Sequence, residues 1–415
     1  MSVEYVPLRY VTSVLARGTA PNYVDDGPVR MVSQAANQDS GLDWERTRFH
    51  DFVGDPRKLK GYLEFGDSLV NSTGTGTLGR VGWFEKSPDD RPCVADGHVT
   101  VTRFDPTRVD KRFGFYYLKS DEFQEFMFET LVNGSTNQIE LSRERMSAVS
   151  MPVPPLEEQR RIADFLDAET ARIDRVVSLR QRQLAVFEER KQAVVDHFLV
   201  QEGDPMVHLA RLCRVQSGVT VDGGRFSEDS ELRPYLRVAN VQADGLDLSE
   251  VKKILVGPIS ARRFELRPGD VLMTEGGDLD KLGRGTVWSG EIPGCLHQNH
   301  VFAVRPNSRL SGEYLALLTR TSLARSYFEM TGSKTTNLAS TSSGKILAFR
   351  VPLLELDEQF RRTKEAEKDL SQITAIATAM AKQVDLLSER RQALITAAVT
   401  GEFDVSAASG RGIEE

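Results

Sequence analysis

Residues 157–198 read EEQRRIADFLDAETARIDRVVSLRQRQLAVFEERKQAVVDHF, a stretch without glycine or proline. Leu166, Ile173, Val177, Leu184, Phe187 and Val194 recur in it at spacings of three, four and seven, which places them on one stripe of a helix. About 40 residues at ~1.5 Å each make a rod of roughly 60 Å. A rod with one apolar stripe needs a partner in water, and the chain supplies one. Ala366, Leu370, Ile373, Ala377, Met380, Val384, Leu387 and Leu394 keep the same seam in the same register, displaced by 200 residues. The spacing predicts two long helices paired as a coiled coil. Antiparallel pairing is expected, because it puts one globule at each end and relates the halves by a pseudo-twofold axis.

The repeat extends outward from the helices. Glu158-Gln159 recurs as Glu358-Gln359, and Glu189-Arg190-Lys191-Gln192-Ala193 recurs as Glu389-Arg390-Arg391-Gln392-Ala393, both at an offset of 200. Upstream, Gly41-Leu42-Asp43 answers Gly245-Leu246-Asp247, Gly66-Asp67 answers Gly269-Asp270, and Leu78-Gly79-Arg80 answers Leu282-Gly283-Arg284. His98-Val99 pairs with His300-Val301, and Gly134-Ser135 with Gly332-Ser333. The order is globule, helix, globule, helix. The expected boundaries are a first globule over 1–154, a helix over 155–203, a second globule over 204–352, a helix over 353–404 and a disordered tail over 405–415. That tail begins the low-complexity run Ser406-Ala407-Ala408-Ser409-Gly410.

The globules read as mixed α and β, so the fold class is α+β. Strands are expected at Val99 to Phe104 and Val301 to Val304, helices at Asp121 to Val132 and Gly312 to Phe328, and Gly-Asp turns at Gly66-Asp67 and Gly269-Asp270. Pro152, Pro154 and Pro155 hold the chain extended into the first helix. Pro155 suits a first helical position, and Glu157 and Glu158 complement the helix dipole.

Composition excludes several classes. With 415 residues, 40% of them hydrophobic and 27% charged, the chain is an ordinary globular protein of two or three domains. Its three cysteines, Cys93, Cys213 and Cys295, form no CxxC pair, which argues against a disulfide framework or a zinc site and fits a reducing cytoplasm. No apolar run approaches the roughly 18 residues of a membrane span, and the opening Met1-Ser2-Val3-Glu4-Tyr5 carries no signal pattern. The net charge of −7 divides unevenly, at −4 over 1–154, −3 over 155–204, +4 over 205–350 and −4 over 351–415. Composition alone does not suggest DNA.

Gly74-Thr75-Gly76-Thr77-Leu78-Gly79 fits GxGxxG, but Arg80-Val81-Gly82-Trp83-Phe84 after it reads as a strand rather than a helix. A nucleotide site there is disfavoured, and the sequence contains no P-loop, HExxH or GxSxG motif. No metal site and no catalytic residue is expected, and His98 and His300 read as strand-start residues. The functional reading of the glycine loops is contact with a nucleic-acid backbone or base edge, with Arg80, Lys281 and Arg284 beside them. The alternative is a solvated turn. Two polar loops are the second candidate: Ser135, Thr136 and Asn137 in one, Lys334, Thr335 and Asn337 in the other. Such loops also serve as plain helix terminators.

Pro152-Val153-Pro154-Pro155-Leu156-Glu157-Glu158-Gln159-Arg160-Arg161-Ile162-Ala163-Asp164-Phe165-Leu166-Asp167, followed by the helix ending in Glu189 to Ala193, resembles the conserved region of type I restriction-modification specificity (S) subunits. The similarity covers nearly the whole chain. It implies two target-recognition domains that bind the halves of a split double-stranded DNA sequence, with the paired helices as spacer and docking surface. It implies further that partners carry the chemistry of DNA methylation and phage defence. Modification (methyltransferase) subunits, two in number, would methylate adenine N6 from S-adenosylmethionine, and a restriction (translocase/nuclease) subunit would use ATP and Mg. The second copy reads Pro352-Leu353-Leu354-Glu355-Leu356-Asp357-Glu358-Gln359-Phe360, without the isoleucine-alanine step, so equal docking of a second modification subunit is not assured. The competing readings are a coiled-coil scaffold whose globules bind protein, which the net acidity supports, and an enzyme with an unrecognised site.

Overall fold

The computed structural model describes residues 4–74, 76–128, 132–133, 140–220, 229–242, 245–277, 282–334 and 339–408. The chain divides into two compact units, residues 1–180 with 382–415 and residues 181–381. Each unit holds one globule, part of the helix Leu156–Leu199 and part of the helix Leu356–Thr400.

In the first unit a four-stranded antiparallel sheet runs Thr12–Arg17, Val99–Phe104, Ser68–Asn71, Val81–Trp83. In the second unit the order is Cys213–Ser217, Val301–Pro306, Val271–Thr274, Gly285–Val287, also antiparallel throughout. The repeat in sequence is thus a repeat of sheet topology. Alternation along the strands feeds two cores, as the two-residue period of a strand requires. Leu69, Val99 and Val101 enter one cluster of the first unit while Val70 and Phe104 enter the other. Val271, Met273, Phe302 and Val304 face one cluster of the second unit, and Leu272, Val301 and Ala303 the opposite one.

A second sheet lies over one of these cores in each unit. In the first unit it runs Cys93–Ala95, Val29–Val32, Arg48–His50, Tyr23–Val24, and in the second Lys252–Val256, Glu231–Leu236, Leu296–His297. Each contains one parallel pair, Cys93–Ala95 with Val29–Val32 and Leu296–His297 with Glu231–Leu236. A terminal strand pair closes each globule, Glu4–Pro7 on Ser150–Val153 and Met206–His208 on Arg350–Pro352.

Helices cover the other core, and here the expected spans are corrected. The first unit has Lys111–Lys119 and then Asp121–Phe126, and the second has Gly312–Leu318 and then Ser322–Thr331. The breaks fall at Ser120 and Thr321. Each hydroxyl donates to the carbonyl three residues earlier, Tyr117 O or Leu318 O, both at 2.7 Å, and caps the next helix through Phe123 N or Ala324 N. A side-chain oxygen that competes with the backbone in this way ends one helix and starts another.

The long helices follow the heptad reading. Leu166, Ile173, Ile373 and Met380 are buried, and Val177, Leu184, Phe187, Val194, Leu370, Val384, Leu387 and Leu394 are half-buried. Pairing within each unit is antiparallel. The first core joins Ile162, Ala163 and Leu166 from the start of one helix to Ile395, Ala398 and Val399 from the end of the other. The second joins Val195 and Leu199 from the end of one to Ala366 from the start of the other. The expectation of a tail from 405 needs correcting at its beginning. Val405–Ala408 form a helical turn, and the Val405 side chain is buried in the first core because its apolar surface finds that pocket. Residues 409–415 lie outside the described residues.

Three equivalent polar ties recur in the two units, two joining a long helix to the globule and the third within the globule. Gln159 and Gln359 are fully buried. Gln159 Nε2 donates to Arg108 O (3.0 Å) and Pro154 O (2.7 Å), and its Oε1 accepts from Asp110 N (2.7 Å). Gln359 repeats the set with Arg309 O, Leu354 O (both 2.8 Å) and Ser311 N (2.9 Å). At the helix ends, Gln192 Nε2 donates to Arg320 O (2.9 Å) in the second unit and Gln392 Nε2 to Lys119 O (2.6 Å) in the first. The Gly-Asp turns supply the third tie. Asp67 pairs with Arg103 at 2.8 Å, and Asp270 with Arg305 at 2.6 Å, each carboxylate also accepting a backbone N–H three residues earlier.

Cys93, Cys213 and Cys295 are free and buried. Burial pushes their thiols up, to about 11, 12 and 12 respectively. A thiol so far above neutral pH is almost wholly protonated, and the thiolate is the nucleophile. The folded chain should therefore resist a thiol-alkylating reagent at pH 7.5 and label at three sites only after denaturation. Rapid native labelling at any one of them would contradict this.

Candidate nucleic-acid interface

The two kinds of loop singled out in the sequence come together at one edge of each globule. In the first unit the stem of the polar loop is the strand pair Val132–Asn133 and Glu140–Leu141. It joins the start of the glycine loop through a bridge between Thr73 and Glu140 and through Leu141 N donating to Ser72 O at 2.9 Å. Arg17 secures it from beneath, ion-paired with Glu140 and donating to Leu141 O at 2.8 Å. In the second unit Gly276–Gly277, Ala339–Ser340 and Ser333–Lys334 form a three-stranded sheet, and Thr341 N donates to Glu275 O at 2.8 Å. The same attachment is thus built twice from different residues.

The glycine loop is a compact turn, not a nucleotide cradle. Gly74, Gly76 and Gly79 all have positive φ, at 98°, 82° and 80°. A Cβ on Gly79 would lie 2.3 Å from Met127 Cε, so the glycine is needed for close packing as well as for backbone angle. The loop then enters the strand Val81–Trp83 rather than a helix. No helix N-terminus follows it for a phosphate to sit on.

His98 and His300 stand at equivalent places beside these loops. His98 Nδ1 lies 2.9 Å from Thr73 Oγ1, and His300 Nδ1 lies 2.6 Å from Glu275 Oε2. Both tie the loop stem to the start of a central strand, and sequence reading gave them no such role.

The named cations differ in their freedom. Arg80 is engaged within the globule. It donates to Asn37 O (3.2 Å) and Gln38 Oε1 (3.0 Å) and pairs with Asp39 at 3.2 Å, so that it shapes the loop at 37–39. Arg284 lines a cleft of about 450 Å³ with Lys191, Arg320, Arg325, Glu188 and Glu189. Lys281, Ser135, Thr136, Asn137, Thr335 and Asn337 lie outside the described residues. Lys334 has its backbone in a described strand, but its side chain falls outside them. What is described is therefore the frame that presents the polar tips.

The chain is similar to known proteins. The signature described as "Type I restriction modification DNA specificity domain" matches residues 51–178. The chain is 25% identical over 272 residues to the EcoKI specificity subunit of Escherichia coli K12, covering 61% of this chain and 58% of that one. With the EcoBI specificity subunit of Escherichia coli it shares 23% identity over 373 residues, covering 76% and 74%. The chain is similar to type I restriction-modification specificity subunits.

Solved structures share the fold. A chain from a type I R-M system, solved in work on its complex assembly and conformational transition, superposes with a TM-score of 0.73 at 19% identity, covering 96% of this chain and 99% of that one. The HsdS subunit from Thermoanaerobacter tengcongensis gives 0.52 at 18% identity, covering 96% and 97%. The EcoKI alignment spans less than two thirds of that subunit's length. Among the described residues, no helix is long and apolar enough to cross a membrane.

Proposed function

We propose that this chain is the DNA sequence-reading subunit of a type I restriction-modification complex. Each globule reads one half of a bipartite target, and the paired helices separate the halves. The observation that carries the reading is the loop edge built twice. One backbone frame recurs in both globules and presents glycine loops and polar hairpins of dissimilar sequence, as two readers of two different half-sites require. Lys281, Ser135, Thr136, Asn137, Lys334, Thr335 and Asn337 would supply hydrogen bonds to base edges, with Arg284 and, if released from Asp39, Arg80 reaching phosphate.

The chain's role is to position, not to react. Adenine methylation with S-adenosylmethionine belongs to modification subunits, two in number, and ATP- and Mg-dependent restriction to a further subunit, in the cytoplasm. An acidic chain of net charge −7 leaves part of the phosphate neutralisation to those partners.

Base-modification sequencing of the host genome with and without this gene tests the reading. A split adenine motif that disappears with the gene is the expected result, and an unchanged methylome would overturn it. Exchanging residues 1–154 for the corresponding globule of another such subunit should change one half-motif only. Change in both halves would remove the two-reader reading.

A further inference from the structure

The polar hairpin is held to the glycine loop by different means in the two globules. In the second unit the attachment is a sheet. Gly276 pairs with Ser340 and Gly277 with Ala339, while Ser333 and Lys334 pair with the other side of the same strand. Lys345 Nζ adds a hydrogen bond to Ser333 Oγ at 2.7 Å. In the first unit the stem pairs Val132 with Leu141 and Asn133 with Glu140. It meets the glycine loop at the Thr73 to Glu140 bridge and at the bond from Leu141 N to Ser72 O. Among the described residues this attachment is the shorter, and a side chain reinforces it.

That side chain is Arg17, the last residue of the edge strand Thr12–Arg17. Its guanidinium forks, one nitrogen on the Glu140 carboxylate and the other donating to Leu141 O at 2.8 Å. Two successive residues of the stem are thereby fixed to the central sheet. Burial pulls the Arg17 pKa below its usual value and the Glu144 carboxylate pushes it back, so a second acid also acts on the guanidinium. The equivalent position in the second unit follows from strand register. Arg103 opposes Val14 and Arg305 opposes Arg214, so Arg17 opposite Thr100 answers Ser217 opposite Phe302. Ser217 Oγ donates to Asn299 O at 2.8 Å. The fork belongs to the first globule.

We propose that Arg17 is a positioning residue for base reading by the first globule. It sets the polar hairpin against the glycine loop, and the half-site read by the second globule does not depend on it. The inference rests on the DNA-reading function above and names a residue that acts on one half alone. A contact to a base edge is specific only while the group that makes it is held in place, so the support of the stem governs what the tip can discriminate. The Arg17 side chain is 24% exposed and that of Glu140 is 54% exposed. An ion pair so open to water contributes little to folding. Its loss should show in discrimination before it shows in stability.

The test uses the chain assembled with its modification subunits and duplexes that carry the parent target or a single base change in one half. Exchange of residues 1–154 identifies the half that belongs to the first globule. In the parent each change should cost roughly 5- to 150-fold in affinity. Arg17→Met should shrink that penalty by roughly threefold or more in the first half and leave it intact in the second. Arg17→Lys keeps the charge but not the planar fork, and should recover part of the penalty. Glu140→Ala removes the ionic arm from its exposed side, where folding tolerates the change, and should reproduce the loss in the first half. Ser217→Ala should leave both halves as they are. On a random-sequence duplex the salt slope of Arg17→Met should stay at the parent value, because a positioning residue gives up no phosphate. A slope shallower by about 0.9 with discrimination retained would make Arg17 a phosphate contact and overturn the inference. So would equal losses in both halves, or none in either, in variants that melt like the parent. A parent complex that binds no duplex would remove the DNA reading itself, and this inference with it.

Discussion

Replacing Gln159 by leucine is expected to cost about 3–5 kcal/mol and, in a chain of ordinary stability, to leave the first unit largely unfolded at 37 °C. The side chain is fully buried and satisfies two carbonyls and one N–H, Arg108 O, Pro154 O and Asp110 N. Leucine fills similar volume but strands all three groups without water, at about 1–3 kcal/mol each before relaxation. Glutamate is the sharper substitution, because it can accept from Asp110 N but cannot donate to either carbonyl while ionised. Both should lower the denaturation midpoint strongly, with glutamate partly rescued as pH falls and the acid becomes a donor. Gln359→Leu should do the same to the second unit through Arg309 O, Leu354 O and Ser311 N. A loss below 1 kcal/mol in denaturant titration at either site would mean that the backbone groups find other partners.

The glutamine shows where sequence reading succeeds and where it stops. Glu158-Gln159 and Glu358-Gln359 stand out as a repeated pair, but their text does not say whether the glutamine faces a partner or the interior. Its role depends on Arg108 and Asp110, some 50 residues earlier, and no local pattern links them. The helices were legible because their periodicity is local: Ile173 and Met380 fall on the seam by counting alone. The central strands were legible for the same reason, with Val99, Val101, Leu272 and Ala303 alternating between cores.

The second sheets were not legible, since Tyr23–Val24, Arg48–His50 and Leu296–His297 are two or three residues long and owe their pairing to distant strands. The helix starting at Asp121 was legible at its start, whereas the break at Thr321, inside the expected span Gly312 to Phe328, was missed although a serine or threonine ahead of an acidic or apolar run is a capping signal. Of the proposed contact residues, Arg80 was named from its place beside a loop. Its bonds to Asn37 and Gln38 depend on tertiary packing.

Arg305→Met is expected to destabilise the second unit by about 3–5 kcal/mol, more than Asp270→Asn does. The asymmetry follows from burial. Asp270 is 1% exposed and Arg305 is 28% exposed at the side chain. Removing the arginine leaves a carboxylate in the interior, where the Arg267 N–H at 2.9 Å is its remaining hydrogen-bond donor among the described residues. Removing the carboxylate leaves a guanidinium that still reaches water and Glu265 O. Asp270→Leu combined with Arg305→Met removes both charges and should be more stable than Arg305→Met alone. The equivalent pair Asp67 and Arg103 predicts the same order in the first unit, with Asp67 fully buried and Arg103 16% exposed. Denaturant midpoints at neutral pH measure both series. A double variant no better than Arg305→Met would show that the arginine acts through packing, and that the carboxylate is not what makes its loss costly.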